Sequence, residues 1–227
     1  PHPERWADLV TKANEPVAIR VASRGSRLRH ASSIAPKVEV ALRDALRGPR
    51  AASSGRPERS PLAILARIEG DEVELSVDAS GEELHKRGWR RNIGEAPLRE
   101  NLAAAVLALA DWDPSEPLVD PMCGSGTFPI EAATIALGIP PGATRGFALE
   151  TWPSFDPSTW KRLRAERPVP HAAEPLIAGS DRDAKVIDAA RRNARAAGVA
   201  PAIRLEVSDV ADLEPPAASG LVVANPP

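Results

Sequence analysis

From Glu116 onward, short apolar runs alternate with segments of helical period, and this rhythm constrains the chain more than any other feature. Leu118-Val119, Leu176-Ile177-Ala178, the alternating Ile203, Leu205 and Val207, and Leu221-Val222-Val223 read as four strands. Helices are expected at Thr127–Leu137, stopped by Gly138, and at Ala184–Ala197, stopped by Gly198. Strands that alternate with helices need crossover connections, which build a parallel sheet covered on both faces: an α/β fold. Such sheets ordinarily hold more strands, so the chain is expected to be a fragment with the first four. Residues 139–173 read as an insertion with a helix near Pro157–Glu166, its Trp152, Phe155 and Trp160 packed on the sheet.

The segment before Glu116 has a different texture. Val17–Ala22 alternates as a strand, and a polar stretch with Arg24, Arg27 and Arg29 follows around Gly25. A helix is expected over Ser33–Arg47, capped by Ser33, with Pro36 in its first turn and Gly48-Pro49 as its stop. Residues 50–61 have loop composition, and Leu62–Ile68 and Val73–Val77 form a hairpin about Gly70-Asp71. A further helix carries an apolar stripe of Leu98, Leu102, Ala105, Val106 and Leu109, and a unit boundary is placed just before it, near residue 92. The units are therefore 1–91 and 92–227.

Charge separates the same regions. The chain has a net charge of −2, but residues 1–68 carry +7 and residues 69–227 carry −9. A basic amino-terminal part suits a polyanion, although arginines on a solvated face give the same count. No apolar run is long enough to span a membrane, and the single cysteine, Cys123, excludes an internal disulfide and a cysteine-based zinc cluster. His2, His85 and His171 lack metal-ligand spacing, so no metal is expected, and the absence of a basic-then-apolar leader argues for a cytoplasmic location.

Ligands of open parallel sheets bind where strands lead into helices, and four such loops carry suggestive residues. The first, Asp120-Pro121-Met122-Cys123-Gly124-Ser125-Gly126-Thr127, has neither the Gly-Lys-Ser/Thr of a P-loop nor the third glycine of a dinucleotide fingerprint. An acid and a Gly-x-Gly turn suit a zwitterionic amino-acid group. In the second loop Asp181 is placed to accept ribose hydroxyls, while Asp183 can cap the following helix. Asp209, in the third, could meet an adenine amine or cap a helix. The fourth, Asn225-Pro226-Pro227, offers an amide oxygen and a rigid carbonyl to the two hydrogens of an amino group; a plain strand terminator is the other reading.

Together these loops resemble class I S-adenosylmethionine-dependent methyltransferases, in particular their Asn-Pro-Pro amino-methylating branch. Asp120–Ala133 (DPMCGSGTFPIEAA), Lys86–Leu102 (KRGWRRNIGEAPLRENL) and Ile139–Trp152 (IPPGATRGFALETW) look like the THUMP-domain RNA N2-guanosine methyltransferases, with the bacterial 23S rRNA enzymes most alike. Ser23–Leu46 resembles the core of the THUMP RNA-binding domain, whose start is then missing. The resemblance implies a Rossmann-like sheet behind a small α/β THUMP-like domain. It implies S-adenosyl-L-methionine held by Asp120, Pro121, Cys123, Gly124, Gly126, Thr127, Asp181 and Asp209, with Asn225, Pro226 and Pro227 at the target amine. RNA, rRNA or tRNA, is the implied partner, with Arg24, Arg27, Arg29, Lys37, Lys86, Arg87, Arg90 and Arg91 as candidate phosphate contacts. Trp89 among those cations fits a nucleic-acid surface or a hinge between units. Adenine-N6 methylation and a noncatalytic RNA-binding scaffold are the competing functions.

Overall fold

The computed structural model describes residues 17–28, 30–45, 62–70, 72–90, 98–152, 154–166, 170, 176–214 and 216–226. The chain divides into two compact units, residues 1–82 with 147–160 and residues 83–146 with 161–227. The boundary expected near residue 92 therefore falls inside the second unit, because Trp89, only 3% exposed, belongs to that unit's core and is no hinge.

In the first unit β1 (Val17–Arg24) pairs in parallel with β2 (Leu62–Glu69), and β2 pairs antiparallel with β3 (Glu72–Val77). Alternation decides the faces: Ile64, Ala66 and Ile68 of β2 are buried, whereas Arg67 and Glu69 are exposed. Gly70 takes the hairpin bend at φ 59° and its N–H donates to the Arg24 carbonyl at 3.1 Å. Helix α1 (Ala31–Ala45) lies along β1 and buries Ile34 and Leu42. It starts two residues earlier than its expected cap. The His30 carbonyl accepts from the Ser33 and Ile34 N–H groups and from the Ser33 hydroxyl (2.8 Å), so Ser33 stands inside the helix. Pro36 is then in the interior rather than the first turn.

The insertion contributes residues to both units. Its 3-10 turn at Ala148–Thr151 joins the first unit through Leu149 N–H to the Ala79 carbonyl (3.1 Å). Trp160 meets the edges of Phe147 at 5.6 Å and Phe155 at 6.2 Å. Phe147, Phe155 and Trp160 thus gather on one another within the first unit.

The second unit holds α2 (Glu100–Leu109), β4 (Leu118–Asp120), α3 (Thr127–Ala136), β5 (Ile177–Asp181), α5 (Ala184–Ala197), β6 (Ile203–Val207) and β7 (Leu221–Val222); α4 (Pro157–Ala165) crosses between the two groupings of residues. All four strands run parallel in the order β6-β5-β4-β7. Leu118, Phe128, Ile130, Ile177, Ala194, Ile203 and Val223 form the core. Each large aliphatic side chain buried there stabilises the fold by about 1.5–3 kcal/mol. The central strands are buried on both faces, Val119 and Ser180 on one and Leu118 and Ile177 on the other, and exposure falls at the edge strands β6 and β7. Arg204, Glu206 and Val222 are exposed, and between β6 and β7 the described chain forms only a 3-10 turn at Val210–Asp212, too short to cover a face.

Helix α2 turns a different side inward from the one its apolar stripe predicts. Glu100, Ala103 and Leu107 are buried, Leu98 packs at the core's edge, and Leu102, Val106 and Leu109 are 49%, 40% and 87% exposed. Ala103 lets α2 approach α3, and Glu100 must reach an arginine; these two demands fix the rotation. Before α2, residues 83–90 have no regular structure but are firmly tied. Arg145 donates from Nη1 to the Glu83 (2.9 Å) and Lys86 (3.3 Å) carbonyls, and the Thr144 hydroxyl donates to the Arg87 carbonyl at 2.8 Å.

Candidate active site at the carboxyl edge of the second sheet

Asp120 ends β4 only 2% exposed, and its Oδ1 accepts from the Met122 N–H at 3.1 Å. The chain then turns back on itself: Cys123 N–H reaches the Ser180 carbonyl (2.9 Å), and Gly126 N–H the Cys123 carbonyl (2.8 Å). Gly124 and Gly126 hold φ of 53° and 90°, and a Cβ at Gly126 would lie 3.0 Å from that of Ala190. Only glycine fits that position. Asn193, fully buried on α5, donates from Nδ2 to the Ser125 carbonyl at 3.1 Å. The turn is thereby pinned to β5 and to α5 at once.

The electrostatics follow from burial. Loss of water raises the Asp120 carboxyl to about 7, against the lowering effect of the Met122 N–H, and negative Asp181 adds to the rise. Asp181 accepts from Gly124 N–H at Oδ2 (3.1 Å) and from Asp183 N–H at Oδ1 (3.0 Å), which leaves lone pairs for a ligand. Asp183 caps α5 through Lys185 N–H (2.8 Å), as expected. Burial, followed by Asp120 and Asp181, pushes the Cys123 thiol far above its usual range, so it stays protonated. Pro121 and Cys123 are buried beneath the turn, and a Cβ at Gly179 would meet both Cys123 Cβ (3.2 Å) and Pro129 Cγ (2.9 Å). The Pro121 and Cys123 side chains pack under the turn and support it. Paired acids at adjacent strand ends make the site one for a cation with hydroxyl or amine donors.

Asn225 and Pro226 leave the sheet at this same edge. β7 pairs with β4, Val119 opposite Val222, and Val223 N–H donates to the Val119 carbonyl at 2.9 Å. Both residues are exposed, and Pro227 lies outside the described residues. Asp209 is exposed and caps the 3-10 turn after β6, accepting from Ala211 N–H at 3.0 Å.

The candidate phosphate contacts separate sharply. Arg87 and Arg90 do not present their charge to solvent. Arg87 Nη2 donates to Glu131 Oε2 at 3.3 Å, with side chains 12% and 5% exposed. Arg90 Nε lies 3.0 Å from Glu100 Oε1, with side chains 11% and 4% exposed, and its Nη2 donates to Thr127 Oγ1 (2.7 Å) and the Leu98 carbonyl (2.9 Å). Burial lowers Arg90 while Glu100 and Glu131 hold its charge; burial raises Glu131 against Arg87. The Thr127 hydroxyl thus serves this cluster, where a cofactor contact was expected. Lys86 is exposed, as are Arg24, Arg27 and Lys37 of the first unit; Arg29 and Arg91 lie outside the described residues. Sequence reasoning passed over Asn193, Glu100 and Glu131, and also Ser180, whose buried Oγ has no partner among the described residues. A polar residue inside each apolar stripe was the available signal.

Residues 87–227 match UPF0020, the RMKL-like methyltransferase domain. The chain belongs to this family. It is 38% identical over 213 residues to a Synechocystis protein named "Putative RNA methyltransferase slr0064", covering 92% of this chain and 56% of that one. It is 42% identical over 174 residues to the ribosomal RNA large subunit methyltransferase K/L of Aliivibrio salmonicida, covering 73% of this chain and 25% of that protein. The chain thus spans about half or less of these relatives. Among solved structures, a predicted N6-adenine-specific DNA methylase from Listeria monocytogenes superposes with TM-score 0.86 at 36% identity, covering 98% of this chain and 59% of the other. SMU.472, solved with SAH, superposes with TM-score 0.76 at 34% identity over 97% of this chain and 60% of its own.

Proposed function

We propose that the protein transfers a methyl group from S-adenosylmethionine to the exocyclic N2 amine of a guanosine in the RNA of the large ribosomal subunit. The observation that carries this reading is the placement of Asn225 and Pro226 beside the Asp120 turn, through the parallel pairing of β7 with β4. The relatives' names, and the SAH in SMU.472, support the cofactor and the RNA. The residues fit the group: a half-titrated Asp120 next to Asp181 is short of a cation, and the cofactor carries a sulfonium and an ammonium. Asp120 and the 124–126 turn would hold its methionine end and Asp181 its ribose. When bound, it supplies an already activated methyl.

The chain's own task is alignment. Asn225 Oδ1 and the Pro226 carbonyl accept the two amine protons, which favours a pyramidal nitrogen and stabilises positive charge growing on it. Pro226 has no N–H to compete for those acceptors. The base must leave its stack, at a cost of a few kcal/mol, least in a loop. The first unit reads as a THUMP-like RNA-binding domain, with Arg24, Arg27 and Lys37 exposed for phosphates.

Incubation with S-adenosylmethionine and a guanine-containing transcript, followed by nucleoside analysis, should yield N2-methylguanosine. Methyl incorporation into adenine alone, in RNA or matched DNA, would establish the second reading, which the name of the Listeria structure favours. Absence of calorimetric heat with saturating cofactor would leave a noncatalytic scaffold.

A further inference from the structure

With Arg87 and Arg90 buried in ion pairs, the exposed cations of the second unit lie elsewhere. Helix α5 carries Lys185, Arg192 and Arg195 on one side, with Arg182 just before its cap, and all four are exposed. None makes an ion pair among the described residues. The one acid on that side, Asp188, is already engaged by Arg191 at 3.2 Å, and Arg191 also donates to the Leu205 carbonyl at 2.9 Å. The acids near this end are Asp120, Asp181, Asp183 and Asp209, each of which accepts a backbone N–H. Residues 69–227 otherwise carry a large acidic excess, so this ridge stands against its surroundings.

Helix electrostatics do not account for it. A cation in the last turn, such as Arg195, is stabilised by the carbonyl end of the helix. Arg182 and Lys185 stand at the opposite end, where exposed N–H groups repel positive charge. Cations kept at both ends of one helix need a further reason.

We propose that the ridge Arg182, Lys185, Arg192 and Arg195 of α5 grips the sugar-phosphate backbone of the substrate RNA. The inference rests on the proposed RNA methylation. Lys185 and Arg192 are seven residues apart, close to two turns and about 10 Å along the axis, so they present charge in line. Arg182 directly follows β5, two strands from β7, and neighbouring strands lie about 4.8 Å apart. An RNA whose base is held at Asn225 reaches the head of this ridge within a few nucleotides. Phosphate contacts of this kind position the strand without reading its sequence.

The test is RNA affinity as a function of salt. Combined Lys185→Ala, Arg192→Ala and Arg195→Ala should reduce the slope of log affinity against log salt by about 2, since each phosphate contact to a single strand contributes about 0.7. Affinity at low salt should fall about tenfold or more, while the melting temperature and the cofactor Kd stay unchanged. Arg192→Lys with Arg195→Lys should restore the slope, because charge and not fork geometry is at issue. An unchanged slope in a folded alanine variant overturns the ridge while leaving the methyltransferase reading intact. So does loss of DNA binding with RNA binding kept. Failure of the unmutated protein to take up cofactor or methylate RNA overturns the reading itself.

Discussion

The turn after β4 and the segment after β7 lie side by side at one sheet edge, yet they are built in opposite ways. The Asp120–Thr127 turn is buried and tied by side chains from three directions: Asp181 to Gly124, Asn193 to Ser125, and Arg90 to Thr127. Asn225 and Pro226 are exposed, and the backbone bond that precedes them runs from Val223 N–H to the Val119 carbonyl of β4. The difference teaches that the side proposed for the cofactor is fixed by the fold, whereas the side proposed for the nucleobase depends on a strand edge and a proline. Damage on the first side should show as lost stability, and on the second as lost turnover.

The largest effect expected is on the rigid side. Arg90→Met leaves Glu100 buried without its partner and Thr127 without its donor, and should cost about 3–5 kcal/mol in denaturant unfolding. A wild-type midpoint would show that the cluster is not what holds the turn. Asn225→Ala should instead leave unfolding untouched and reduce methyl transfer about 100- to 1,000-fold, with cofactor Kd within twofold of wild type. If Kd rises in step with the lost turnover, the two sides are not separable.

Asp120 sharpens the comparison through pH. Its carboxyl is raised to about 7 in the fold, so the native state binds more protons than the unfolded chain between about pH 4 and 7. The stability it contributes is present at low pH and lost as pH rises through about 7. Asp120→Asn keeps the acceptor for Met122 N–H and should stabilise the protein most above pH 7, by about 4 kcal/mol, with the gain shrinking as pH falls and vanishing near pH 4. Cofactor affinity of the unmutated protein should rise with pH toward a plateau above about 7, because a cationic ligand favours the ionised carboxylate. Calorimetry across pH 5.5–8.5 checks both. The smallest effect belongs to Asp183→Ala, which removes the α5 cap, costs about 1 kcal/mol, and leaves the pH profile alone.

Helices α5 and α2 show where sequence reading succeeds and stops. In α5 the cap at Asp183, the stop at Gly198 and the stripe of Ile187, Ala190 and Ala194 all agree, and local chemistry alone defines the element. The glycine turn was legible for the same reason, since its conformation is set within a few residues. In α2 the widest apolar stripe faces outward, because the helix is rotated by an ion pair to Arg90. Arg87 pairs with Glu131 across 44 positions, and that partner is not marked by any local signal. Charge reads as surface until its counter-charge is found, and so KRGWRR resembled a nucleic-acid patch when two of its arginines are internal.

Arg145 carries a consequence of its own. One guanidinium collects the carbonyls of Glu83, Lys86 and Gly146, so the stretch from 83 to 90 gains from a side chain the order that strands gain from a ladder. Within it Gly88 is also fixed, at φ 96° with a Cβ there 2.6 Å from the Thr144 carbonyl oxygen, so freedom of sequence is left only to the exposed positions. Loss of the guanidinium at position 145 would release the Glu83 and Lys86 carbonyls together, so a change more than fifty residues downstream reaches this stretch directly.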